Sequence, residues 1–400
     1  MLTKGTNIIK IWINILICFL GSIVSLSGQN SIVQTERVRD FPFARMSAIG
    51  GVHPALADDV SVLFSNPAGL NLVEEQLSVG ALSVNLAGPI FDIAGIALGS
   101  NTATPANLFG QTAVQSLLSS LNAKINIGGP IAFAYVGEGL GFGAFNSTSV
   151  DFKSTGLVPT LMASITENFT VISNFSLRVP LPEESNSTLD FGFGLKTYLN
   201  GDITIRKSLI DFVTNPGLGN ELLNTNPFTL DFGVGFDIGI LFSHSKNFYF
   251  GLVAHDLFTP VRRNTFVNIS DLWAGKKPVT LDAIVSTEVS LGVLFSPTID
   301  DFSGILTDLK FLISYENILD DIISSDTTKH WILRSGIGIE FTLLQILQLR
   351  GGFHEGLFAA GLGLDLSFVG FNLSMYGTEE SNQPGLAPIY NVDLGFDFSF

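Results

Sequence analysis

Leu230-Asp231-Phe232-Gly233-Val234-Gly235-Phe236-Asp237-Ile238-Gly239-Ile240 alternates without a break. Successive side chains of a β-strand point to opposite faces. One face of this segment is therefore wholly apolar, and the other carries only aspartate and glycine. Leu189, Phe191, Phe193 and Leu195 alternate with Asp190, Gly192, Gly194 and Lys196 in the same way. So do Leu362, Leu364 and Leu366 with Gly363 and Asp365. Near the C-terminus, Val392, Leu394, Phe396, Phe398 and Phe400 alternate with Asp393, Gly395, Asp397 and Ser399. A period of two residues predicts strands. Two architectures use such strands: a soluble sandwich, whose apolar face is a shared core, and a membrane barrel, whose apolar face meets lipid.

Composition favours the barrel. Of 400 residues, 46% are hydrophobic and only 14% are charged, against about 25% charged in a soluble domain. Past residue 30 no uncharged apolar run reaches the ~18 residues of a spanning helix. High hydropathy without spanning helices points to a closed barrel, which leaves no unpaired backbone in lipid. Strands are expected over 76–86, 89–98, 129–136, 139–149, 157–166, 169–179, 187–199, 226–242, 246–258, 280–296, 306–318, 330–343, 345–354, 356–367, 369–377 and 390–400. The fold class expected is all-β, a transmembrane antiparallel barrel of 14–16 strands, with 14 as the central value. An even number puts both termini at the periplasmic end. The long connections 200–225, 259–279, 320–329 and 378–389 then lie outside. Helical turns are expected at Gln111–Leu121 and Arg206–Val213.

The 20 Lys and Arg against 36 Asp and Glu give a formal charge of −16. Phosphate neutralisation needs a basic face, so nucleic acid is excluded as a partner. Cys18 is the sole cysteine, which excludes a disulfide framework and a cysteine-ligated zinc site.

Residues 1–28 carry Lys4 and Lys10, then a run of Ile, Leu, Val and Phe, then Ser25, Ser27 and Gly28. That order is a secretory signal peptide. Residues 29–75 interrupt the alternation. They are too apolar for a plain tail, with Phe41, Phe43, Ala44, Met46 and Ile49 ahead of Gly50-Gly51 and a compact, helix-like run over Ala55–Phe64. Such a segment is soluble only if packed, and the barrel lumen is available. The chain thus divides into a signal peptide (1–28), a lumen segment (29–75) and a barrel (76–400). Phe400 ends the last strand on the lipid-facing parity. That placement matches the signal read by the outer-membrane assembly machinery of bacteria.

Ala57-Asp58-Asp59 runs on to Asn66-Pro67-Ala68-Gly69-Leu70. This resembles the N-terminal hatch of the FadL-like long-chain fatty-acid transporters. Arg350–Gly356, Ala360–Gly363 and Tyr376–Glu380 are similar to the C-terminal part of FadL-like barrels. The resemblance implies an outer-membrane channel with a hatch in its lumen and a hydrophobic ligand such as a long-chain fatty acid. It implies hatch or gating roles for Asn66, Pro67, Ala68 and Gly69. Lys196, Arg334 and Arg350 fall on the inward parity, and a buried cation there suits a carboxylate head group. The competing reading pairs them with Asp237, Glu340 or Asp365, or with Asp58 and Asp59. Arg262, Arg263, Lys276 and Lys277 form a basic group in the exterior connection 259–279, suited to steering anionic amphiphiles. Inward glycines at 192, 194, 233, 235, 239, 336 and 338 either make room for a hatch or ligand, or ease strand bending.

Catalysis finds no motif. There is no Gly-x-Ser-x-Gly elbow, no phosphate loop and no His-Glu-x-x-His, and no metal or cofactor is indicated. Three functions remain: a transporter of hydrophobic molecules, a scaffold or shuttle barrel for secreted proteins, and a general porin or surface antigen.

Overall fold

A computed structural model describes residues 33–35, 43–89, 122–155, 160–208, 225–298, 305–323 and 329–400. The strands, in chain order, are β1 (Val33–Thr35), β2 (Gln76–Gly88), β3 (Asn122–Gly137), β4 (Leu140–Thr155), β5 (Thr160–Val179), β6 (Ser187–Ser208), β7 (Phe228–His244), β8 (Phe248–His255) and β9 (Pro260–Phe266). They continue as β10 (Val279–Val285), β11 (Glu288–Phe295), β12 (Leu306–Tyr315), β13 (Ser335–Leu343), β14 (Leu347–His354), β15 (Leu357–Asp365), β16 (Val369–Glu379) and β17 (Pro388–Ser399). Four short helices are described: α1 (Ala44–Ala48), α2 (Val62–Ser65), α3 (Ile269–Trp273) and α4 (Ile318–Ile323).

Antiparallel neighbours run from β2 to β17, and β17 pairs back onto β2 from Tyr390↔Gly88 to Ser399↔Ser78. The sheet is therefore closed. β8 and β9 both pair with β7, and are two halves of one stave broken at 256–259. β10 and β11 are likewise halves of the next stave, facing β9 and β8 respectively. Counted as staves, the barrel has 14 strands.

The expected strands 157–166 and 169–179 are one strand, β5. Glu167 and Asn168 read as a turn, yet they pair in register with Gly201 and Asn200. Its 20 residues and the 22 of β6 exceed the ~9–11 needed to cross the hydrocarbon. Both strands thus continue beyond the membrane. The expected helix over 206–213 begins instead as strand, because β6 runs through Ser208. The expected strand 89–98, the helix 111–121 and the signal peptide lie largely or wholly outside the described residues.

The lipid-facing parity is borne out. Phe193, Leu195, Phe232, Val234, Phe236, Phe396, Phe398 and Phe400 are exposed, while Asp190, Asp237 and Asp393 are buried on the other face. An apolar exterior over a closed sheet is the surface of a barrel solvated by lipid. Among the described residues, no helix is long and apolar enough to cross a membrane.

Residues 43–75 sit inside. Val62, Leu63, Phe64, Leu70 and Val73 pack against Ala132, Ala134, Val136, Phe145 and Ile172 of the lumen wall. Met46, Ile49, Ala55, Leu56 and Ala68 pack against Leu241, Leu294 and Leu312. Apolar side chains that would otherwise face lumen water are thereby buried, each Val, Leu, Ile, Met or Phe contributing about 1.5–3 kcal/mol.

Candidate functional site

The interior segment is held by its turn chemistry. Asn66 caps the 3-10 turn Pro67–Asn71, its Oδ1 accepting from the Ala68 amide at 3.1 Å. Pro67 sits at the first helical position, where its missing N–H costs nothing. Asn66 Nδ2 donates to the Pro54 carbonyl at 2.8 Å and to the Ile240 carbonyl of β7 at 3.2 Å. One fully buried amide therefore ties two parts of the segment to the wall. Gly69 touches Ala57 and Val62 so closely that a Cβ would overlap both.

The wall matches this shape with glycine. A Cβ at Gly192 would collide with the Ala68 amide, and one at Gly239 with the Asn66 side chain. Gly251 and Gly292 face Pro54 and Ala55, and Gly336, Gly338 and Gly352 face Ile49 and Gly50. Of the inward glycines read from the sequence, 192, 239, 336 and 338 thus clear the interior segment. Gly194, Gly233 and Gly235 instead clear Asn174, Tyr198 and Lys196.

A charged cluster fastens the end of the lumen at which β17 terminates. Arg45 of α1 reaches Asp58 at 2.7 Å, Asp59 at 2.6 Å and Glu340 of β13 at 2.6 Å. Lys310 of β12 joins Asp58 at 2.7 Å and Glu340 at 3.2 Å. Arg350 donates to Glu340 at 2.7 Å and to Asn372 at 2.6 Å. Burial opposes ionisation of Asp58, but Arg45 and Lys310 beside it hold its carboxyl well below the usual range. Sequence reasoning missed Arg45 and Lys310. One signal was visible: Arg45 is the single cation of residues 43–75, and a cation inside an apolar packed segment needs an acid.

The other cations singled out in the sequence are dispersed. Lys196 lies between Asp237 at 3.2 Å and Asp256 at 2.9 Å, with His255 Nδ1 also 3.2 Å from Asp237. This buried group stitches the break between β8 and β9. Arg334 meets Asp321 of α4 at 2.6 Å and Asp320 at 3.4 Å. Arg262 and Arg263 lie on β9, not in a loop, because strand pairing to β7 and β10 continues through them. Adjacent strand residues face opposite ways. Arg263 thus meets Asp231 at 2.6 Å while Arg262 is exposed. Lys276 pairs with Asp271 at 2.6 Å, and Lys277 is exposed.

Three cavities follow from this packing. On the outer side of the segment, Phe43, Met46, Val52 and Phe64 line an apolar chamber of about 250 Å³, with Glu316, His354 and Tyr376 at its rim. Burial pushes the Glu316 carboxyl up, with His354 pulling the other way. A polar chamber of about 560 Å³ adjoins it, sharing Ser47, Tyr376 and Thr378. At the other end of the segment, beside Phe400, lies a charged cavity of about 410 Å³. Phe43, Met46 and Ser61 line both this cavity and the apolar chamber. The partition between the two sides is therefore one side chain thick there.

The wall is interrupted as well. β11 pairs with β12, but the continuing half-stave β10 finds no β12 partner among the described residues. Its second edge is taken by β1, in parallel, with Val33↔Ala283 through Thr35↔Val285.

These features define a bacterial outer-membrane β-barrel whose lumen is divided by its own N-terminal segment. No family model and no curated protein matches the chain. Among solved structures it is similar to the Pseudomonas putida toluene transporter TodX, at 11% identity over 92% of this chain and 99% of that one, with a TM-score of 0.46. It is also similar to a Pseudomonas aeruginosa FadL homologue, at 13% identity over 90% and 97%, with a TM-score of 0.40. A third is the Escherichia coli outer membrane phospholipase A, at 8% identity over 80% and 90%, with a TM-score of 0.26.

Proposed function

We propose that the protein is an outer-membrane channel for hydrophobic molecules in which residues 43–75 act as a hatch. A long-chain fatty acid is the ligand that the Asn66–Leu70 resemblance implies. One observation carries the reading: the apolar chamber is floored by the segment itself, through Phe43, Met46 and Phe64. A ligand seated there touches the partition it must displace. The chamber's 250 Å³ is slightly below the ~300–1,000 Å³ of small-molecule sites. The head group of such a ligand would reach the adjoining polar chamber.

Lipid mass spectrometry of the barrel extracted from its own membrane in mild detergent tests this. An acyl species at about one per barrel is expected. Phe64→Asn is expected to lower its occupancy about tenfold, since a buried Phe contributes roughly 1.5–3 kcal/mol of contact. An empty native barrel that co-purifies with other polypeptides would move the reading to a scaffold or shuttle. Equal occupancy in native protein and variant would remove the chamber from the route.

A further inference from the structure

The polar chamber has its own chemistry. Asn85, Asn126, Asn391 and Asp393 line it from β2, β3 and β17, with Lys124 two residues from Asn126 on β3 and Lys153 on the neighbouring β4. Asn85 spends its Nδ2 on the Tyr376 hydroxyl at 2.8 Å, and Asn391 spends its own on Thr378 and the Ile389 carbonyl. The two lysines lie 3.9 Å from Asp151 and 3.7 Å from Glu380. What remains unsatisfied is of one kind. Asn126 Oδ1 is buried without a hydrogen-bond partner among the described residues, and the two buried Asp393 oxygens have at most the neighbouring Leu394 amide. Asp393 is 1% exposed. A buried acceptor left unpaired is costly, so it marks a place where a donor fits.

We propose that this chamber binds the head group of an uncharged, hydroxyl-bearing amphiphile, such as a glyceride or a glycoside. The proposal rests on the hydrophobic-channel reading, because the adjoining apolar chamber takes the chain. Hydroxyls donate to Asp393 and Asn126 and accept from the lysines beside them. A carboxylate head offers no donor to either acceptor, and the two lysines it could meet already stand beside Asp151 and Glu380. A quaternary ammonium offers no donor either.

Native mass spectrometry of the intact barrel in a zwitterionic detergent tests this. The probes share one chain length: 1-decanoylglycerol, decanoate and decyltrimethylammonium. The native protein is expected to retain 1-decanoylglycerol about tenfold better than either charged probe, the value of roughly one well-made hydrogen bond. Asp393→Asn is expected to remove that preference while leaving decanoate no weaker. Comparison with the native protein cancels partitioning into the micelle. Where Asp393→Asn yields no heat-modifiable folded barrel, Asn126→Ala reports on the same chamber. Retention of decanoate equal to or above that of the glyceride overturns the proposal, as does a preference that survives both substitutions. If Phe64→Asn releases all three probes alike and the native protein shows no preference, the channel reading stands and this one falls. If no probe is retained, both fall.

Discussion

Gly192→Leu is expected to turn a divided barrel into an open one. The position lies on β6, which pairs along its length with β5 and β7. The wall therefore cannot retreat. A Cβ at Gly192 would run into the Ala68 amide and the Pro67 carbonyl carbon, both backbone of the interior segment. Ordinary overpacking costs about 1–3 kcal/mol, because side chains shift. Here the obstacle is main chain, so the segment must lift. Lifting it breaks the Asn66 bond to the Ile240 carbonyl of the wall, worth roughly 0.5–1.5 kcal/mol, and strips the apolar contacts of Ala68 with Leu241. Planar-bilayer recording is expected to show large, steady ionic currents for the variant and small or rare ones for the native protein. Cells bearing the variant should become sensitive to bulky antibiotics that the outer membrane normally excludes. Gly80→Ala is the control, since a Cβ there meets nothing within 4 Å. Currents from Gly192→Leu that match this control would show that the lumen is not closed by residues 43–75.

What the sequence disclosed follows the range of each interaction. The two-residue alternation is local, so the strands of the C-terminal half and the lipid-facing parity of Phe232 or Phe396 were readable. The Asn66-Pro67 turn is local too, because Asn66 caps a turn that begins at the next residue. Interruptions were harder to read. Glu167-Asn168 looks like a turn, but Glu167 is exposed beyond the apolar band and bonds Asn146 across the sheet at 3.2 Å. The break at 286–287 was read through within 280–296, while the expected strand 246–258 ended at the other break and left β9 inside the connection 259–279. At that other break, Asp256 adopts φ 53° and the buried group of Lys196, Asp237 and His255 fixes the bend, a constraint that depends on three strands at once. Longest of all is the reach from Arg45 to Glu340, 295 residues apart. Parity placed Glu340 inside. Only barrel closure and register place it opposite Arg45. The same limit applies to Arg262 and Arg263, whose shared loop dissolves once β9 is seen to pair through them.

Arg45→Ala is expected to have the second large effect, and acid is expected to reverse part of it. In the native protein Arg45 stands among Asp58, Asp59 and Glu340. Glu340 is buried, Asp58 is exposed and Asp59 half-buried, so the loss falls below the about 3–5 kcal/mol of a fully buried pair that loses one partner. Lys310 and Arg350 remain, so three carboxylates would face two cations. Two of those carboxylates belong to the interior segment and one to the wall. Their repulsion therefore acts across the contact that holds the segment in place. The expected readout is protease cleavage within residues 43–75 at neutral pH, alongside raised conductance, with the barrel itself still heat-modifiable. The pH dependence separates this from simple loss of packing. In the native protein the Asp58 carboxyl is held well below its usual range. A depressed carboxylate contributes its stability above the unfolded value of about 3.9 and loses it only as pH falls toward the folded one. Native seating is therefore expected to persist from neutral pH to about pH 4. Without Arg45 that depression shrinks to what Lys310 alone supplies, and the crowded carboxylates take up protons more readily. Lowering the pH from 7 toward 4.5 is expected to neutralise part of the excess charge and to restore protection from protease. Cleavage that is unchanged or faster at the lower pH would mean that Arg45 holds the segment by its aliphatic stem and not by its charge. Arg45→Met, which keeps the stem, would then behave as the native protein does, whereas the electrostatic account requires it to fail as Arg45→Ala fails.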